Sequence, residues 1–333
     1  MNKGLLITRV IVLAVVLCSC EDKGQELQKE VVHDKQEQKL FLQLNLEKGF
    51  SAVLLKTRES VGTTLKQGQE TTARLKSIAE YELRCVDVDE KGIMSIEQTL
   101  RALKLEQSGP EGKWQYDSRQ EGTLVPAGLR QTAAYLGNTL RMRVRPDGKG
   151  VSIEGLDPVI EKWFEEIPRP NEAEVMEQRI KARKAEIINN FRLNAHSIME
   201  GLLEKYPSEQ VKVAEKWSME EKSQQADWGQ GRTSWCLAAI KDGTAEITIE
   251  RQRKLGSEKP VIMEDENIRA TIKGDGKGTG RIKVDVARGF IKTIVSEGES
   301  WSDMTIEYKK EPPQIETIKK TTKSQSRMEW LAD

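Results

Sequence analysis

Side chains able to do chemistry are scarce in this sequence. Its 333 residues include four cysteines and two histidines, at Cys18, Cys20, Cys85, Cys236, His33 and His196. Two imidazoles so far apart do not build the usual histidine metal site and supply a base as well. A thiol nucleophile needs a base beside it, yet His33 lies in a polar N-terminal run and His196 in a helical pattern. Asp87, Asp89 and Gly92 of DVDEKGIMSIEQ take the first, third and sixth places of a calcium loop. Lys91 and Gln98 then fill the fifth and twelfth places, where ligands are required, so a hairpin turn explains the stretch.

The run KGDGKGTGRIKVDV, 273–286, lacks Gly-Lys-Ser/Thr and leads into a strand pattern rather than a helix. A flexible hairpin is expected there. Arg141, Arg143 and Arg145 share one strand face and could bind lipid headgroups or acidic glycans, but a solvated sheet face carries such charges anyway. No serine sits in a nucleophile elbow, and no pattern sets two carboxylates beside an apolar pocket. A non-enzymatic chain is therefore expected, with no catalytic residue, cofactor or metal.

The elements around these residues read mostly as strands. Leu40, Leu42, Leu44 and Leu46 alternate with other residues, as do Leu140, Met142 and Val144; Ala245, Ile247 and Ile249; Ile282, Val284 and Val286; and Met304, Ile306 and Tyr308. One apolar and one polar face, with turns between, suggests antiparallel sheet. VPAGLRQTAAYLGN, 125–138, reads as a helix stopped by Gly137. A longer helical region opens at Asp157-Pro158, is interrupted at 168–170, and carries Ile187, Ile188, Phe191, Ala195, Ile198, Met199, Leu202 and Leu203 as an apolar stripe. An internal repeat relates Cys85, Gly92, Met94 and Ile96 to Cys236, Gly243, Ala245 and Ile247, and MRVRPDGKGVSI to IKVDVARGFIKT. The fold class expected is α+β: two related antiparallel, curved sheet halves with a central helical segment packed on them.

Apolar residues make up 37% and charged residues 32%, and Lys+Arg balance Asp+Glu at 53 each, which gives no bulk electrostatic case for nucleic acid. Lys3 and Arg9 precede an apolar core at Val10–Leu17. Eight residues cannot cross a hydrocarbon layer of about 30 Å, but they suit a secretory signal. The sequence Leu17-Cys18-Ser19-Cys20 resembles the bacterial lipoprotein signal, with small Ser19 selecting Cys20. That resemblance implies cleavage before Cys20, a diacylglyceryl thioether on its sulfur, and attachment to a membrane. The divisions expected are a signal at 1–19, a tether at 20–39, a first β-rich half at 40–156, a helical connector at 157–207 and a second β-rich half at 208–333. Cys85 and Cys236 then remain either to form a disulfide across an oxidising envelope or to stay as two buried thiols.

With LNLEKGFSAVLLKT, VRPDGKGVSIEGLD and GTGRIKVDVARGFI, the chain resembles an uncharacterised family of bacterial envelope lipoproteins, a domain of unknown function. More loosely, GTGRIKVDVARGFI resembles hairpins of periplasmic lipoprotein carriers. The resemblance implies a folded part outside the cytoplasm, anchored through Cys20 to an inner or outer membrane, with an envelope protein or a lipid as partner. The leading expectation is a non-enzymatic binding or structural module of the envelope. One alternative is a lipid or lipoprotein carrier whose cavity is lined by residues such as Met142, Val144, Ile282 and Val284; another is a hydrolase whose site is not visible in sequence.

Overall fold

Long strands dominate because β-branched and alternating apolar residues recur with few interruptions. The computed structural model describes residues 39–110, 112–120, 125–126, 130–165, 206–222, 230–256, 260–264, 268–309 and 314–331. The strands are β1 (Lys39–Leu40), β2 (Ser51–Lys66), β3 (Gln69–Val88), β4 (Met94–Gly109), β5 (Gly112–Asp117), β6 (Thr139–Val144), β7 (Gly150–Glu154), β8 (Val211–Lys212), β9 (Lys216–Lys222), β10 (Gln230–Lys241), β11 (Thr244–Leu255), β12 (Val261–Glu264), β13 (Ile268–Asp285), β14 (Phe290–Tyr308) and β15 (Gln314–Leu331). Two helices are described, α1 (Arg130–Ala133) and α2 (Leu156–Glu165). β1 pairs with β8, and the other thirteen strands form one sheet. Its path runs β7-β6-β4-β3-β2-β15-β14-β13-β11-β10-β9, with β5 beside β4 and β12 beside β13.

The sheet curls on itself at one end. Pro146 lies in the β6–β7 turn and Arg288 in the β13–β14 turn. The nearest strands of these two hairpins, β6 and β14, are five steps apart in the sheet, which is about 24 Å on a flat surface. Yet adjacent residues bridge the two turns: the Leu44 amide donates to the Pro146 carbonyl (2.7 Å) and the Asn45 amide to the Arg288 carbonyl (2.8 Å). Tyr206 makes a second bridge, its amide donating to Asp147 O (3.2 Å) and its hydroxyl to Gly289 O (2.6 Å). Residues 40–46 thus form a strap across the mouth of the curled sheet. Leu42, Leu44 and Leu46 point inward from it and are buried with Leu54, Leu83, Met94, Met142, Leu237, Ile247, Ile282 and Phe290 in one apolar cluster. A second cluster at the opposite end joins Leu255, Ile272, Met304, Ile306 and Ile318.

These observations correct the expected α+β class. The described residues are almost all strand, and a central helical segment packed on two sheets is not supported. A single thirteen-stranded sheet spans both halves, because β15 pairs with β2 along Ile318–Leu331 and joins them. The connector's first part is the ten-residue α2, whose Leu156, Val159 and Ile160 pack with Leu100, Tyr135 and Leu140 in a separate cluster; residues 166–205 lie outside the described ones. Of the helix expected at 125–138, the described residues show one turn, Arg130–Ala133, followed by Gly137 at φ 76°. The flexible hairpin expected at 273–280 is the middle of β13, continuously paired with β11 and β14. The alternating strand expected at 40–46 is an extended strap, paired as a strand only at Lys39–Leu40.

The repeat persists in the pairing register. Met94 faces Val144 and Ile96 faces Met142, while Ala245 faces Val284 and Ile247 faces Ile282. Bulges recur at Cys85/Asp87 and Leu237/Ala239, and again at Arg143/Val144 and Lys283/Val284. Cys85 faces Ile96, and Leu237 rather than Cys236 faces Ile247. The equivalence of the two cysteines is therefore off by one residue, and in a strand one residue changes the face.

Candidate functional site

Among the described residues, the reactive ones singled out in the sequence are not brought together. Cys20, His33 and His196 lie outside the described residues. Cys85 and Cys236 are free thiols, so the disulfide considered for them is not formed. Cys85 points into the core, its thiol 3.7 Å from the Leu46 carbonyl, and burial pushes its pKa up. Cys236 sits on the other face of β10, between buried Trp235 and Leu237. Asp89 does turn work: its Oδ1 accepts the Lys91 and Ile93 amides (both 2.9 Å), and its Oδ2 takes the Arg143 guanidinium at 2.6 Å. Those amide bonds, more than the arginine, hold its carboxyl below the ordinary range. Arg141 pairs with Glu97, and Arg145 with Asp147, so the three arginines belong to a salt-bridged outer face. Met142, Val144, Ile282 and Val284 are fully buried in the strap cluster, and they do not line an open cavity. Among the described residues no group of His, Cys, Asp and Glu is placed to hold a metal ion.

A different constellation emerges on the concave face between the two apolar ends. Successive rows across β2, β15, β14, β13 and β11 read Arg58, Ser326, Ser296, Gly280, Ile249; then Ser60, Ser324, Gly298, Gly278, Arg251; then Gly62, Thr322, Ser300, Gly276, Arg253; then Thr64, Lys320, Ser302, Gly274, Leu255. The middle of each row is small except at Lys320. Long cations stand on both sides: Lys56 and Arg58 from β2, Arg251 and Arg253 from β11. The result is a trough with a Gly/Ser/Thr floor and basic walls.

The floor's glycines have a steric cause. A Cβ on Gly274 would lie 2.5 Å from the Trp301 carbonyl, and one on Gly280 would lie 2.8 Å from the Val295 carbonyl. Such close approach of β13 to β14 tolerates no side chain there. Lys320 reaches across to β2, its Cε 3.6 Å from the position a Gly62 Cβ would occupy.

The electrostatics of the trough are unbalanced. Its inward cations are Lys56, Arg58, Lys66, Arg251, Arg253 and Lys320, and among the described residues of these five strands its one inward carboxylate is Glu316. Glu316 is already engaged by Lys66 (2.6 Å) and by the Tyr308 hydroxyl (3.1 Å). Burial first, and the charges of Arg58 and Arg251 after it, lower the Lys56 pKa below its ordinary value. Lys56 and Arg251 feel each other although their strands are four steps apart in the sheet, so the curl sets the two walls facing. Burial also lowers the Lys320 pKa. The hydroxyls of Ser300 and Thr322, 1% and 6% exposed, have no hydrogen-bond partner. Sequence reading missed this trough because it took the glycine run as a turn. The available signal was phase: Gly274, Gly276, Gly278 and Gly280 continue the alternation of Ala270, Ile272, Ile282 and Val284.

A second feature is a cavity of about 20 Å³ bordered by Tyr81, Gln98, Tyr135 and Leu140. It has room for one water beside the unpartnered, buried Oε1 of Gln98, and is too small for a ligand.

A family described as a "Family of unknown function (DUF6263)" matches residues 91–291. No curated protein matches the chain. Among solved structures, a chain of lipovitellin, from a structure on its lipid–protein interactions, has a TM-score of 0.40 and 11% identity over 86% of this chain. This chain spans 25% of that chain's length. An outer membrane channel of Pseudomonas putida F1 gives a TM-score of 0.21 and 6% identity, covering 86% of this chain and 97% of the channel. OpdQ of Pseudomonas aeruginosa gives 0.24 and 7%, covering 85% of this chain and 99% of its own. None of these scores defines a common fold.

Proposed function

Because the chain belongs to the DUF6263 family, a family of unknown function, we propose its role from its own geometry: a non-enzymatic binding module of the bacterial envelope, held to a membrane through lipidated Cys20, with the concave trough as its binding surface. One observation carries the reading. The two ends of the concave face are filled by apolar side chains, whereas its middle carries Lys56, Arg251, Arg253 and Lys320, which face no carboxylate of the five trough strands, and the unpartnered hydroxyls of Ser300 and Thr322. A face built only for stability would match those charges or replace them with packed apolar residues.

Photocrosslinking from single positions in cells tests it. A crosslinker at Arg253, in the trough, captures a defined ligand or partner; one at Lys323, on the outer face of β15, does not. Equal capture from both positions would refute the assignment of the concave face.

A further inference from the structure

Resting on that reading, we infer that the trough takes a linear phosphodiester polymer, laid lengthwise along the strands, with short polyol units between its phosphates. The pairing register sets out one inward cation per row. In order along β13, the rows through Ile282, Gly280, Gly278, Gly276 and Gly274 carry Lys56, Arg58, Arg251, Arg253 and Lys320. Rows lie two residues apart, about 6.8 Å, so the charges are strung over about 27 Å rather than gathered at a point. The next row holds Lys66, already engaged by Glu316 at 2.6 Å, and that ion pair closes the series. A small anion would meet one or two of these cations and leave the others repelling one another. A chain charged at the same interval meets them all.

The interval selects the polymer. Where three carbons separate the oxygens of a phosphodiester chain, six bonds lead from one phosphorus to the next. Two peptide units contain as many bonds and reach about 7 Å, so the charges of such a chain keep step with the rows. The neutral groups agree. Ser300 and Thr322 stand on the Arg253 row, are more than nine-tenths buried and lack partners. The equivalent pair Ser296 and Ser326 bond each other at 2.8 Å. The idle pair is left to donate to a phosphate oxygen or to bond a polyol hydroxyl. Among the described residues of the five strands, no aromatic side chain faces inward on these rows, so nothing is offered for the bases of a nucleic acid to stack on. Arg251 and Arg253 are exposed while Lys56 and Lys320 are half-buried, so the chain is laid in from the β11 wall.

The test uses the full chain in nanodiscs of phosphatidylcholine, a lipid without net charge and the same in every titration. Water-soluble glycerol phosphate oligomers carrying one to eight phosphates are titrated in by calorimetry, in buffer free of phosphate and detergent. Affinity should rise at least tenfold from two phosphates to five, one for each row, and level off beyond five. Lys320→Met removes the last row and moves the plateau to four. Arg251→Gln combined with Arg253→Gln abolishes the rise; both positions are exposed, so the fold persists, as urea unfolding checks. Arg141→Gln on the outer face leaves the length dependence unchanged. The inference is overturned if affinity is independent of length or if Lys320→Met keeps the parent plateau. It is also overturned if an oligodeoxynucleotide or a uronate polysaccharide of equal charge binds as tightly as the polyol chain. Crosslinking from Arg253 that captures a partner while every oligomer fails to bind would leave the concave face standing and remove only the ligand class.

Discussion

Replacing Gly289 by alanine should unseat the strap. Gly289 has φ 58°, a left-handed conformation that costs an L-residue about 1 kcal/mol. Its Cβ would also fall on the carbonyl of Gln43, so the strap must move away. Movement breaks the hydrogen bonds donated by Leu44 and Asn45, each worth about 1 kcal/mol net. The sum is about 3 kcal/mol of stability, of which the two hydrogen bonds, about 2 kcal/mol, act on the strap itself and raise its open fraction roughly 30-fold at 1.4 kcal/mol per decade. Complete release does not multiply this by the burial of three leucines. Their gain of about 1.5–3 kcal/mol each is largely offset by the backbone entropy that seven residues recover, at about 1 kcal/mol apiece. The assay is amide exchange of the peptide covering 40–50, together with proteolysis at Lys39 and Lys48. Gly243→Ala is the control, because Gly243 has φ 68° but nothing within 4 Å of its Cβ position. It should lose about 1 kcal/mol and leave the strap closed. Equal exchange at 42–46 in both variants, or a loss below 1 kcal/mol in Gly289→Ala, would refute the account of the strap.

Lys56→Met should stabilise the fold. Like charges two residues apart on a strand, about 6.8 Å, repel by about 2.4 kcal/mol at an effective dielectric near 20. Solvent screening at half-buried Arg58 and exposed Arg251 offsets about half, leaving a gain of about 1 kcal/mol in urea unfolding. The pH dependence has a definite sign. Lys56 has a folded-state pKa below the ordinary lysine value of 10.5, so the unfolded chain binds more protons between the two values and parent stability rises with pH across that window. The variant lacks this rise. Tyr81, pushed up to about 12 by burial, lowers stability above pH 10 in both proteins and cancels in the comparison. Gly155→Ala, at φ 85° with its Cβ 2.5 Å from the Thr139 carbonyl, should lose about 2–3 kcal/mol by the same measurement. Cys20→Ser should move the protein from the membrane to the soluble fraction and abolish lipid labelling; continued membrane attachment would remove Cys20 as the anchor.

Local features were legible in the sequence, and long-range ones were not. Alternation correctly located the strands at 140–144, 245–249, 282–284 and 304–308, because period two is a property of adjacent residues. The Asp89 and Asp147 turns were equally readable, since a short acidic side chain bonds amides two residues on, as both do here. The pairing of β2 with β15 had no local signature. It depends on the β2 edge finding a strand from the far end of the chain, and without it the halves read as two sheets. The trough was illegible for the same reason. Lys56, Arg58, Arg251 and Lys320 are ordinary surface residues in a linear reading, and only register and curl set them together. The cysteines show a finer failure: five residues separate Val88 from its partner Met94, and only four separate Ile240 from its partner Ala245, so equal spacing from the second strand puts Cys85 and Cys236 on opposite faces.

The splice between β2 and β15 also has a meaning in time. Synthesis delivers a chain in order, so β2, which ends at Lys66, waits for β15, which begins at Gln314. The two repeats can each build strands meanwhile, but the outer edges of β2 and β14 stay open to any passing strand. The arrival of β15 covers both edges in one step. It acts as a latch that shuts only when both repeats are present, so a chain cut short before Gln314 should be sticky rather than merely less stable. The same latch sets the β2 and β11 walls opposite each other, which ties the appearance of the proposed binding surface to the completion of the polypeptide.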